Sequence, residues 1–345
     1  MTAHPMLSAV LVMDLLVCLL LAGAAHPAWQ VARHWAPRSA TPRQIAIENR
    51  YEAWSLAASA ALAVNLTAAA TLVLAIAVVL PRVVPGAMCG TGVLQACQPY
   101  GTRMLLYRLA GLMVLWLWQR LETLNRSQPT APLTPLTARL LLVALPAAGL
   151  YTLESLRTLR AFDLAGPVDC CVAVYDLGAA SAAALLSPSG TPFWWVLWIV
   201  ASLVASSAAL PLVRSPVIPP RASLAALVAV AALLWLPAAA FSLVEVLAAY
   251  HYQVLHHHCP WCLFQPRQYG AGFMLLAAWL VVALEGPAVW ALAACGRRWP
   301  VAAPAAAYQT RRAALRLTVA IGLFTLVAAG PAVVWRLRHG AWLMG

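Results

Sequence analysis

Charge is what this sequence has least of. Only 9% of its 345 residues are Asp, Glu, Lys or Arg, against about 25% in soluble globular proteins. Lysine is absent, so 22 arginines stand against 10 acidic residues. With 63% hydrophobic residues and a mean hydropathy of +0.81, this excludes a soluble globular chain and points to a polytopic membrane protein. No polar connection is long enough to fold as a soluble domain. There is no phosphate-binding glycine loop, no nucleotide motif, and no internal repeat beyond a loose helix-pair rhythm. The net charge of +12 does not imply nucleic acid as a partner. The arginines sit at the ends of apolar runs instead of forming one patch, which is the pattern of membrane topology.

A spanning helix needs about 20 apolar residues. Runs at about 6–26, 53–80, 104–119, 139–158, 193–213, 222–250, 270–295 and 314–335 predict an all-α bundle of about eight transmembrane helices. The third run is the shortest, and Arg108 interrupts its start. The first is followed by Ala22-Gly23-Ala24-Ala25, which resembles a signal-cleavage region. It lacks a basic leader and carries Asp14 in its middle, so it reads as an uncleaved first membrane helix. Three regions follow: residues 1–138 with three helices, 139–295 with four, and 296–345 with a connection and the last helix.

Arginines orient the bundle. Arg33, Arg38, Arg43 and Arg50 lie in the first connection, Arg120, Arg126 and Arg139 at the third, Arg214 and Arg221 in the fifth. Arg297, Arg298, Arg311, Arg312 and Arg316 lie at the seventh. The positive-inside rule makes these odd connections cytoplasmic and both termini external. Cys89 and Cys97, Cys170 and Cys171, and Cys259 and Cys262 then share the outer face, which is oxidising at a bacterial inner membrane and allows disulfides to persist.

The densest chemistry is His256-His257-His258-Cys259-Pro260-Trp261-Cys262. A Cys-x-x-Cys pair at a helix start brings two sulfurs close, and the helix dipole and free N–H groups favour a thiolate. Such a pair cycles between dithiol and disulfide by exchange. The histidines support a second reading, because His256, His257 and His258 with Cys259 and Cys262 offer donor types that suit zinc or copper. Cys170 and Cys171 are adjacent, and a disulfide between neighbours is strained. Exchange with Cys259 or Cys262, or metal binding, accounts for them better. Cys89 and Cys97 bracket a short glycine-bearing loop, which suits a plain structural disulfide closing it slightly better than a relay role. Asp14, Glu154, Glu245 and Glu285 fall in or near spans, where an unpaired carboxylate is costly. Glu154 can pair with Arg157 on its own helix, while Glu245 and Glu285 are the candidates for proton handling or for anchoring a polar ligand. Trp194, Trp195 and Trp198 near a helix end read as an interfacial belt.

From about 139 to 295 the order is helix, cysteine-bearing loop, helix, short turn, helix, then Cys-Pro-Trp-Cys-Leu leading into a fourth helix. This resembles the four-helix core of vitamin K epoxide reductase-type membrane thiol–disulfide oxidoreductases. The resemblance implies that Cys259 and Cys262 face a membrane quinone. Cys170 or Cys171 would then shuttle electrons to a thioredoxin-like periplasmic partner, and Ser189-Gly190-Thr191-Pro192 would begin the second helix of that core. The adjacent shuttle cysteines, the triple histidine and Gln265-Pro266-Arg267-Gln268 after the Cys-x-x-Cys depart from the family pattern. The expectations are therefore a disulfide–quinone oxidoreductase, a copper or zinc handler, or a membrane scaffold braced by its cysteines.

Overall fold

A computed structural model describes residues 4–36, 41–162, 166–168, 191–214, 222–254 and 257–343. Every regular element among them is helical. Eight long helices correspond one to one with the eight apolar runs: α1 (Pro5–His34), α2 (Pro42–Leu74), α3 (Tyr100–Arg126), α4 (Thr134–Ala161), α5 (Thr191–Arg214), α6 (Ala222–Ser242), α7 (Ala271–Arg298) and α8 (Ala303–His339). Proline opens α1 and α2 at a position where its missing N–H costs nothing, and the Thr41 hydroxyl caps α2 by accepting from the Gln44 N–H at 3.3 Å.

Seven of the eight are long and apolar enough to cross a membrane, so the chain is a multi-pass membrane protein. The exception is α3, which carries Arg103, Arg108, Arg120, Glu122 and Arg126. Lipid would not tolerate those charges, but most of them turn inward and find partners. Arg108 is 3% exposed and donates to Asp14 of α1 at 2.6 Å, to Asn65 of α2 at 3.2 Å, and stacks on the Tyr151 ring of α4. Ser155 of α4 completes the site by donating to Asp14 at 2.7 Å. Glu122 accepts from Tyr51 of α2 and from Arg126. Arg120 crosses to Glu285 of α7 at 2.7 Å, and Arg316 of α8 meets the same carboxylate at 2.7 Å. Glu285 is thus an ion-paired structural carboxylate here. Glu154 pairs with Arg157 as its spacing predicts, whereas Glu245 is half-buried with no hydrogen bond or ion pair to another described residue.

Small residues make the inner faces, as they do where helices pack closely in lipid. Ala24 and Ala28 of α1 and Ala58, Ala61 and Ala68 of α2 are buried, while Leu19 and Leu326 are about 70% exposed toward the surroundings. The packing forms two closed rings of four. In the first, α1 lies on α2 and α4, and α3 lies on α4 and α2; in the second, α5, α6, α7 and α8 follow one another and α8 returns to α5. The rings meet chiefly where α3 lies on α7. Packing therefore divides the helices between α4 and α5, not at residues 138 and 295.

The rings also share a layout that the expected helix-pair rhythm did not capture. In each, the second helix ends in a π-turn, Ala75–Val79 after α2 and Leu243–Leu247 after α6. A cysteine-bearing connection follows, then a Gln-Pro corner (Gln98-Pro99, Gln265-Pro266) and the third helix. A glycine in that helix receives the residue before the corner: a Cβ on Gly101 would lie 2.7 Å from the Cys97 sulfur, and one on Gly272 2.6 Å from the Phe264 ring. Both corners need glycine for the same reason.

The aromatic residues of α5 depart from expectation. Trp194 and Trp198 are buried, and Trp195 packs against Tyr250 and Trp342. They face the protein interior because α6 and α8 close over that face of α5, so they do not form a belt.

The α3 charges yield a test. Asp14→Ala should cost about 3–5 kcal/mol, since it strands the buried Arg108. Glu154→Ala should cost under about 1 kcal/mol, because Arg157 is exposed. Thermal unfolding of the detergent-purified variants measures both.

Candidate functional site

The second and sixth connections meet at one end of the bundle, on the seam between the rings. Cys89 comes from the second connection, just before a short helix, Gly90–Gln95, and Cys259 immediately precedes a 3₁₀ turn, Pro260–Phe264. The Cys89 and Cys259 sulfurs are 3.3 Å apart, and with Cys262 all three lie within 4.8 Å of one another. Cys89 and Cys259 are 1–2% exposed, while Cys262 is half-buried. The Thr91 hydroxyl stands 3.1 Å from the Cys259 sulfur.

Both π-turns hold this arrangement. A π-turn shifts the backbone ladder and leaves a carbonyl open to an outside donor. Gln265 donates from its side chain to the Ala77 carbonyl of the first π-turn at 3.2 Å, and His258 Nδ1 donates to the Val244 carbonyl of the second at 2.9 Å. Tyr252 donates to the Cys259 carbonyl at 2.6 Å, and its ring meets His257 edge-on at 4.3 Å. Trp261 lies flat against the opposing loop, where a Cβ on Gly90 would fall 2.6 Å from its ring.

Contacts with Cys262, then Cys89, and then Thr91 lower the Cys259 thiol, against the opposing effect of burial. Cys262 is pushed up by the same pairing, so Cys259 is the sulfur of the pair that gives up its proton first. Burial lowers His257, with partial opposition from Cys89. Cys97 is isolated from this chemistry. Its thiol faces the Val93 and Leu94 carbonyls of its own helical turn, and burial pushes it up to about 11.

Beside the cluster a crevice of about 280 Å³ opens, walled by Pro260, Trp261 and Phe264 of the turn, Val244 of the π-turn, Trp279 of α7 and Phe324 of α8. Its lining is almost wholly apolar. In the first ring, Leu72, Ile76, Val93 and Met104 belong to one buried apolar cluster.

Cys259 and Cys262 thus meet Cys89, and Cys89 lies against Cys259 instead of forming the expected pair with Cys97. His257 and His258 are engaged in shaping the turn, and among the described residues no histidine nitrogen joins the three sulfurs. Cys170, Cys171, His256, Ser189 and Gly190 lie outside the described residues. Val168 is described, and it donates to the Pro85 carbonyl at 3.0 Å and packs against Cys89 and Cys259. The sequence reading missed Thr91 and the contact of Cys89 with Cys259. The repeated Gln-Pro corner was the available signal, since aligning Gln98-Pro99 with Gln265-Pro266 sets the two cysteine loops side by side. Compared with known proteins, the chain matches no family model, no curated protein and no solved structure.

Two outcomes check the geometry. In Cys262→Ser, mild oxidation should join Cys89 to Cys259 and leave Cys97 free, as read by peptide mass mapping; a Cys89–Cys97 bond would contradict it. Because its neighbours lower the Cys259 thiol while burial raises Cys97, Cys259 forms its thiolate at the lower pH and loses it only as pH falls through its lowered folded value. Iodoacetamide should therefore label Cys259 at lower pH than Cys97, which labels only in strong alkali; the reverse order would contradict the geometry.

Proposed function

We propose that this protein is a thiol–disulfide oxidoreductase of a bacterial inner membrane, working at its outer face through Cys259, Cys262 and Cys89. The observation that supports this most is the gathering of three sulfurs from two loops beside an apolar crevice. A metal-free disulfide pair needs an accessible sulfur and a good leaving group. Cys262 is the more exposed sulfur and Cys259 the better leaving thiolate.

The chemistry balances as two exchanges. A partner thiolate attacks Cys262 Sγ of a Cys259–Cys262 disulfide, and the Cys259 thiolate leaves. The partner's second thiol then breaks the mixed disulfide, so the partner is oxidised and the pair is reduced. A membrane quinone, as co-substrate, takes two electrons and two protons and becomes the quinol as the disulfide re-forms. The crevice has apolar walls suited to a quinone ring and its isoprenoid tail. Cys89 lies within exchange distance of Cys259, so a Cys89–Cys259 disulfide is an alternative resting form. Cys170 and Cys171 follow Val168 in the chain and serve in this reading as carriers to a thioredoxin-like partner.

A second reading has its own observation. Three sulfur donors without a histidine suit a soft cation, copper(I) or zinc. One experiment separates the two. The protein is purified anaerobically in detergent, its thiols are counted by alkylation mass shift with and without reductant, and metals are measured on the same sample. The oxidoreductase predicts a metal-free protein in which a short-chain quinone analogue oxidises Cys259 and Cys262, with Cys259→Ser falling to the background rate. Thiols that stay reduced beside one copper or zinc per chain would assign the cluster to metal handling.

A further inference from the structure

A second cavity of about 280 Å³ opens at the same end of the bundle, away from the sulfurs, between the last turns of α8 and the two ends of the sixth connection. Its polar lining is made of groups that can donate: His251, Gln253 and Gln268 on one side, Arg338 and His339 on the other. No acidic residue lines it, and Arg338 has no ion pair with a described residue. Basic residues at a helix C-terminus commonly do no more than offset the helix's own carbonyls. That accounts for Arg338 and His339 but not for the cavity that they line together with Gln253 and Gln268.

The level of the cavity identifies what fills it. Pro331, Val334 and Trp335 form its apolar wall, and the His339 ring stacks on Trp335 at 4.1 Å. On the outer side of the same turns, Val333 and Leu337 are 50% and 80% exposed, so α8 still faces lipid within one turn of Arg338. Apolar surface below, tryptophan beside and arginine above mark the membrane–water interface, where phospholipid phosphates lie. We propose that this cavity binds a phosphate-bearing anion, held by Arg338 and His339 on one side and met by Gln253 and Gln268 on the other. The site is independent of the redox reading.

The test uses the full chain purified in detergent, with short-chain phosphatidylglycerol, short-chain phosphatidylcholine and inorganic phosphate as separate probes, read by thermal shift. Saturable stabilisation by phosphatidylglycerol over phosphatidylcholine, without an effect of inorganic phosphate, identifies a lipid headgroup. Stabilisation by inorganic phosphate as well identifies the free anion. Either result supports the site if Arg338→Gln weakens it about tenfold or more, the loss of one charge-assisted contact. Arg336→Gln is the control, since Arg336 lies over Trp342 and does not line the cavity. No saturable effect of any probe, or an Arg336→Gln loss equal to that of Arg338→Gln, overturns the proposal.

Discussion

The pairing of the α3 charges is the interaction on which the rest of this bundle depends. A helix with four arginines and a glutamate cannot face lipid, so it must lie among partners that neutralise it. Asp14 and Asn65 position α1 and α2 around Arg108, Tyr51 binds α2 to Glu122, and Arg120 reaches across to Glu285. The first contacts hold one ring together and the last joins it to the other. Removing Asp14 strands the buried Arg108, whereas Glu122 keeps Arg126 and Glu285 keeps Arg316 when Tyr51 or Arg120 is lost.

The seam so made is also where the reactive sulfurs meet. One ring contributes Cys89 and Thr91, and the other contributes Cys259 and Cys262. The two π-turns hold the parts together, because each offers a carbonyl that a regular helix would have used internally, and a side chain of the sixth connection takes it. A change in how the rings lie against each other would therefore move Cys89 relative to Cys259 before it disturbed either ring.

Burial and reactivity are opposed at this site, and hydrogen bonding decides between them. A thiol 2% exposed would ordinarily hold its proton, as buried Cys97 does. Cys259 differs because two other sulfurs and a hydroxyl lie beside its own sulfur. Two cysteines in the same small region thus have opposite chemistry. The difference lies in who their neighbours are and not in how deep they sit.

The helix count was legible in composition, because apolar runs of membrane length leave little choice of structure. So was the Glu154–Arg157 pair, a contact within one turn. The concentration of chemistry at Cys259 and Cys262 could also be read from a four-residue motif. What the chain alone did not reveal were contacts between residues far apart in it: Asp14 with Arg108, Arg120 with Glu285, and above all Cys89 with Cys259. Spacing made Cys97 the natural mate of Cys89, since loop closure favours the near neighbour. The helical turn between them instead aims the Cys97 thiol at its own carbonyls. Local sequence determined which segments cross the membrane and which residues are reactive. Only the packing of one ring on the other decided which sulfurs meet, because that depends on the register of α3 against α7 and on two π-turns that no local pattern announces.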